Sequence, residues 1–232
     1  MKTIICEKNE AVEKAAELVA DVLQAKPDAV LALACGETMA PLWARLAGLC
    51  AEGMLSLRHA RILCATEFCA VPEEKSCRYA LTKGLIETTD AQIENCFFPD
   101  PEAPEKYDAQ IEALGGIDLA ILGLGEDCHI GYNEPGTLFD TLTHVQKLTD
   151  RSLRQLKRRG FSEEELPEFA VTLGIRDLTR AKRILLLAFG EEKAAAVFQM
   201  LYAKTTSYVP AAYLQIPLEV TVLLDGAAAA KL

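Results

Sequence analysis

The 232-residue sequence has no long hydrophobic run. Its longest apolar stretches, 183 to 189 and 119 to 124, have strand length and fall far short of the roughly 20 residues a membrane span needs. Positive charge is also in short supply. Lys and Arg number 24 against 34 Asp and Glu, a net charge of -10, with a pI near 4.9. Such a field repels polyanions, so neither nucleic acid nor an anionic membrane surface is an expected partner. A small phosphorylated ligand remains open, because two or three local cations suffice for it. Histidine occurs three times, and none of the eight cysteines forms a C-x-x-C pair. The spacings fit no common zinc module, and no metal site is expected. Neither G-x-x-x-x-G-K-[ST] nor G-x-G-x-x-G occurs, which argues against a nucleotide site. The first eight residues, MKTIICEK, contain no apolar h-region. No secretion signal is expected, the cytoplasm is the expected compartment, and the thiols are expected to be reduced.

Half the residues are apolar and a quarter are charged, the balance of a globular chain with a full core. Val12, Ala15, Ala16, Val19, Ala20 and Leu23 repeat at helical spacing. An apolar run from Ala29 to Cys35 ends at Gly36, and a second helical pattern covers Met39 to Ala51. The alternation continues: strands at Arg61–Ala65 and Asp118–Gly125, helices at Ser76–Ile86 and Pro104–Leu114, then short strands at His144–Leu148 and Ala170–Leu173. Strand Arg183–Phe189, helix Glu191–Leu201, strand Val220–Leu224 and an alanine-rich tail helix complete it. Strands apolar on both faces, alternating with helices, predict one domain over residues 1–232. Its fold class is α/β: a single doubly wound, mostly parallel, Rossmann-like sheet flanked by helices. Ligands of such sheets bind beyond the carboxyl ends of the strands. That rule selects the chain after Ala34, Ala65, Leu124 and Phe189.

Those four places carry the unusual residues. Cys35-Gly36-Glu37-Thr38 follows the first; a glycine at a strand-to-helix turn lets backbone N–H groups approach an anion, and a threonine hydroxyl can add a bond. The third carries Gly123-Leu124-Gly125-Glu126-Asp127-Cys128-His129-Ile130-Gly131-Tyr132-Asn133-Glu134-Pro135. An imidazole passes protons near neutral pH, and a neighbouring carboxylate fixes its tautomer. A plain polar loop would account for the same composition.

The third segment resembles the Gly-x-Gly-x-Asp-Gly-His-Ile-x-Phe-Asn-Glu-Pro signature of glucosamine-6-phosphate deaminases (isomerases), which share a fold with 6-phosphogluconolactonases. The likeness extends along nearly the whole chain. Leu31 to Leu46 is similar to the family's strand and Thr-Gly-Gly-Thr-Pro phosphate loop. Ala65-Thr66-Glu67-Phe68 falls where the family has Met-Asp-Glu-Tyr, and Phe189 to Ala194 and Val209 to Gln215 match late blocks. The resemblance implies ring opening of an aldose phosphate, proton movement from C2 to C1, and release of ammonia with fructose 6-phosphate. It implies no cofactor and a phosphorylated hexose or amino sugar as partner, and it leaves both a monomer and a homo-oligomer open. By position, the catalytic residues are His129, Asp127 and Glu134, with Thr66 and Glu67 at the proton-shuttling place. Gly36, Thr38, Lys193 and Arg158, with Arg159 as the near alternative, fall where the phosphate is held.

The departures bear on the reaction. Thr66 replaces the Asp that shuttles the C2 proton, and a hydroxyl is no base near neutral pH without a strong activator. Glu67, its neighbour, is expected on the opposite face of a strand. Cys35, Glu37 and Met39 alter the phosphate loop, and Cys128 replaces a glycine at a turn expected to need positive φ. Cys35 and Cys128 are read first as two independent small buried residues, and as adjacent pocket thiols open to chemistry in the alternative. The leading expectation is a deaminase-type sugar-phosphate enzyme with weak or altered activity. A non-catalytic sugar-phosphate binder and a lactonase-like hydrolase are the alternatives; Asn133-Glu134-Pro135 speaks against the last.

Overall fold

The computed structural model describes residues 1–232. Seven strands form one sheet in which every pairing is parallel: β1 (Lys2–Ile5), β2 (Val30–Leu33), β3 (Arg61–Cys64), β5 (Cys96–Phe97), β6 (Leu119–Gly123), β9 (Arg183–Ala188) and β10 (Val220–Leu224). Their order is β1-β10-β9-β6-β2-β3-β5. A second sheet, of β4 (Thr66–Phe68), β8 (Phe169–Thr172) and β7 (His144–Lys147), is antiparallel in the order β4-β8-β7. The helices are α1 (Lys8–Ala25), α2 (Ala40–Ala51), α3 (Cys77–Gly84), α4 (Pro104–Ala113), α5 (Asp150–Arg158), α6 (Ile175–Thr179) and α7 (Ala194–Tyr202). None is long and apolar enough to cross a membrane.

The physical cause of the double winding is written in the central strands. In β2, all four residues of Val-Leu-Ala-Leu are buried. Leu31 and Leu33 join one apolar cluster with α1 and α2, while Val30 and Ala32 join the other with α4 and α7. A strand needing cover on both faces stays inside a parallel sheet. At the amino end of β6, nearly buried Asp118 accepts bonds from Val30 N at 2.8 Å and from Lys26 and Lys182 at 2.7 Å each. Burial alone would raise its pKa; the two ammonium groups hold it below the ordinary carboxylate value instead.

Three expectations change. The stretches at His144 and Ala170 leave the main sheet and pair with β4, residues 66 to 68, in an antiparallel layer of their own. β7 alternates half-buried and exposed residues, the pattern of a strand with one face in solvent. The N-terminal strand β1, lacking an apolar run, takes an edge position beside β10. The alanine tail forms turns, not a helix. Asp225 accepts Ala228 N at 2.7 Å and also Gly190 N, and seven residues containing a glycine cannot nucleate a stable helix unaided.

Candidate active site

The sheet order reverses between β2 and β6, because the chain builds outward through β3 and β5 before returning to β6. Beyond the carboxyl ends of these strands lies a cleft of about 400 Å³. All four strand ends singled out by the sequence reach it, through Ala34, Thr66, Leu124 and Phe189. His129 and Lys193 face the same cleft.

The loop after β6 turns tightly. Cys128 N donates to Gly125 O at 3.0 Å, and Gly125 N donates to His129 O at 2.9 Å. A Cβ on Gly125 would sit 2.5 Å from the His129 ring, so only glycine lets the imidazole fold over the backbone there. Cys128 has φ 69°, the left-handed conformation expected of its position. His129 Nδ1 lies 2.7 Å from Asp127 Oδ1 and 3.7 Å from Glu134 Oε2. The Asp127 contact is bent relative to the ring N–H, leaving Nδ1 without a straight hydrogen bond. Burial alone would raise the Asp127 carboxyl, but the imidazole beside it outweighs burial and draws it down to about 2. Glu134 is buried and accepts Ser152 Oγ at 2.6 Å and Thr149 N at 3.3 Å. Asn133 Nδ2 donates to the Ile130 and Leu173 carbonyls at 2.8 Å each. Glu134 is therefore held by the start of α5, and Asn133 ties the loop to the end of β8. The donor atoms of Asp127, His129 and Glu134 lie within 4.8 Å of one another, near enough to share one cation. Ser152 and Thr149, however, already occupy both Glu134 oxygens.

The cationic side of the cleft comes from Lys193, in the 3-10 turn Glu191–Lys193 ahead of α7, and from Arg158 and Arg159 at the carboxyl end of α5. Arg158 donates to Glu126 at 2.7 Å, and Arg159 Nε stands 3.9 Å from Glu37. Burial holds the Lys193 amine below its usual value, against the upward pull of Glu126 and Glu192. Gly36 and Thr38 line the cleft beside the turn Glu37–Met39. Both arginine candidates thus reach the cleft, each next to a carboxylate.

Thr66 lines the cleft and Glu67 does not. The Glu67 carboxylate turns to the start of α3, accepting Phe68 N, Cys77 N and Arg78 N at 2.8 Å each. A strand neighbour points to the other face, and three N–H donors hold it there. The alternative of adjacent Cys35 and Cys128 thiols is overturned. Cys35 lies in the cleft 3.4 Å from Cys64, both sulfurs on the α1–α2 side of the sheet. Cys128 packs with the opposite cluster, donating to Gln199 Oε1 at 3.3 Å. Sequence reasoning overlooked Glu126, Tyr132, Thr149 and Ser152. Glu126 sits at a variable place of the signature, and Thr149, which accepts Ser152 N at 3.3 Å as the N-cap of α5, reads locally as capping alone.

A switch-point cleft with an imidazole between carboxylates on one side and cations on the other defines an α/β protein equipped for acid–base chemistry on an anionic ligand. The family model described as glucosamine-6-phosphate isomerases/6-phosphogluconolactonase matches residues 8–223. The chain belongs to that family, whose members are enzymes. It is 34% identical to the glucosamine-6-phosphate deaminase of Clostridioides difficile (strain 630), over 100% of this chain and 97% of that one. It is 37% identical to that of Bacillus velezensis, over 99% of each. Among solved structures, a monomeric glucosamine-6-phosphate deaminase superposes with TM-score 0.96 at 33% identity, over 100% of both chains. The 6-phosphogluconolactonase of Trypanosoma brucei, TM-score 0.80 at 20% identity over 100% of this chain and 98% of that one, shares the fold.

Proposed function

We propose that the chain, acting as one domain, is a deaminase-type enzyme of phosphorylated hexoses or amino sugars. We further propose that its proton transfer at C2 is impaired. One observation carries the reading: a single cleft joins the His129–Asp127–Glu134 cluster to Lys193, Arg158 and Arg159. Lys193 and the arginines take the phosphate, with Gly36 and Thr38 beside it. For that, the monoester must displace Glu126 and Glu37 from the two guanidinium groups. Asp127 and Glu134 fix the Nδ1 side of His129, so Nε2 is left for the sugar. There it takes the proton of the anomeric hydroxyl and delivers it to the ring oxygen as the C1–O5 bond breaks, and the ring opens.

The next step needs a base between C1 and C2. At the carboxylate's place stands the Thr66 hydroxyl, 3.5 Å from the Cys77 sulfur. With no carboxylate there, the transfer loses a factor of about 10² to 10⁴. The same gap favours a second reading, hydrolysis of a sugar-phosphate lactone, which moves no C2 proton. Buried Glu134, hydrogen-bonded beside His129, favours the first.

Ammonia release from glucosamine 6-phosphate separates the readings. The parent is expected to turn over slowly and Thr66→Asp about 10²-fold faster or more, with His129→Gln abolishing both. Hydrolysis of 6-phosphogluconolactone with no ammonia from either form would establish the second reading. Fructose 6-phosphate binding by calorimetry without any turnover would leave a sugar-phosphate binder.

A further inference from the structure

Five of the eight cysteines lie in other surroundings, but Cys35, Cys64 and Cys77 gather around Thr66 at the floor of the cleft. Cys35 is half-buried and opens on the cleft. Cys64 is fully buried beneath it, the sulfurs 3.4 Å apart, and donates to Thr66 O at 3.1 Å. Their strands are neighbours, with Leu33 paired to Cys64 in the β2–β3 ladder. Cys35, two residues past Leu33, therefore lies over the end of β3. One thiol is open to small reagents, and a second, shielded from them, touches the first. That is the arrangement a two-step thiol–disulfide exchange requires.

We infer that Cys35 and Cys64 form a reversible disulfide site that accepts small disulfide oxidants at the floor of the cleft. The Cys35 thiolate attacks one sulfur of an R–S–S–R reagent and expels R–S⁻, giving a mixed disulfide. The Cys64 thiolate then attacks the Cys35 sulfur and expels the second R–S⁻. Two cysteine thiols are oxidised to one disulfide, the reagent is reduced to two R–SH, and the two cysteine protons pass to the leaving thiolates. Burial of Cys64 keeps the reagent from capping it, so the mixed disulfide resolves inward. Hydrogen bonding to Cys64 and Cys77, together with burial, raises the Cys35 thiol well above the ordinary value. The exchange is accordingly slow near neutrality and faster in mild alkali, where more thiolate is present. The bond would tie the loop carrying Gly36 and Thr38 to the β3 end that carries Thr66.

The test exposes the folded protein to hydroxyethyl disulfide in mild alkali, then maps peptides by mass spectrometry without reduction. The expected result is a single cross-link, between Cys35 and Cys64, with any reaction at the half-buried Cys6, Cys50, Cys69 or Cys96 stopping at the mixed disulfide, and full return of the thiols with dithiothreitol. Cys64→Ser should instead hold Cys35 as a stable mixed disulfide, and Cys35→Ser should leave Cys64 unmodified. A stable mixed disulfide on Cys35 of the parent, a cross-link to Cys77 or Cys69, or reaction confined to other cysteines would overturn the site. No sugar phosphate enters the measurement, so its outcome is independent of the ammonia-release assay.

Discussion

Cys128 shows how one residue's backbone and side chain set opposing demands. Its φ of 69° costs a non-glycine residue about 1 to 2 kcal/mol, yet its side chain is fully buried against α7. Replacing it with glycine relieves the strain and removes a buried thiol worth about 1 kcal/mol. Cys128→Gly should therefore shift stability by less than about 1 kcal/mol. Cys128→Val, β-branched in the same conformation, should lose at least about 2 kcal/mol. Urea midpoints at unchanged m-value decide it. His129 depends on the same turn, since Gly125 leaves the ring its space. The sequence showed that a glycine position had been replaced; the direction of the thiol, away from the cleft, came only from packing.

At the scale of an element, α3 has eight residues, too few to hold itself together in water. Ser76 accepts Tyr79 N at 3.0 Å as its N-cap, and Glu67 satisfies two more amide donors at the helix start from outside the helix. Charge-assisted bonds of this kind are the stronger sort, and a carboxylate suits the positive end of a helix. Glu67→Ala should destabilise the fold by about 1 to 3 kcal/mol, and Glu67→Gln by less. Thermal or urea unfolding measures both. A residue that the resemblance sets beside the proton-shuttling position thus anchors the helix that bears Cys77.

Across the whole molecule, the small antiparallel sheet must be fastened to the main one. Part of that fastening is Asp108 on α4, which accepts Thr143 N at 3.0 Å just before β7, close to Asp177 on α6. Burial first, and the Asp108 carboxylate second, push Asp177 up to about 7. An unfolded Asp titrates near 3.9, so between about pH 4 and 7 the folded chain binds the extra proton. This group's stabilisation is complete below about pH 4 and lost as pH rises through 7. Asp177→Asn, which mimics the protonated acid, should match the parent most nearly at about pH 4 and exceed its stability by a margin that grows with pH to about 1 kcal/mol or more near pH 8. Urea unfolding at the two pH values tests the sign.

The alternation of β2, β3, β6, β9 and β10 with their helices was legible from the residues alone, because strands buried on both faces must be apolar throughout. The four strand ends were legible for the same reason: a parallel sheet brings all its carboxyl ends to one side. By contrast, β1, β4, β5 and the separation of β7 and β8 into a second sheet depend on partners distant in the chain, which local pattern does not encode. Local spacing also brought His129, Asp127 and Glu134 together, because they share one turn. Tertiary structure decided the rest. It joined Lys193 and the two arginines to that turn, turned Glu67 away to α3, sent Cys128 to the opposite face, and set Cys35 against Cys64. Each is a contact across the sheet or between loops, where packing and hydrogen bonding between remote segments choose among directions the sequence leaves equal.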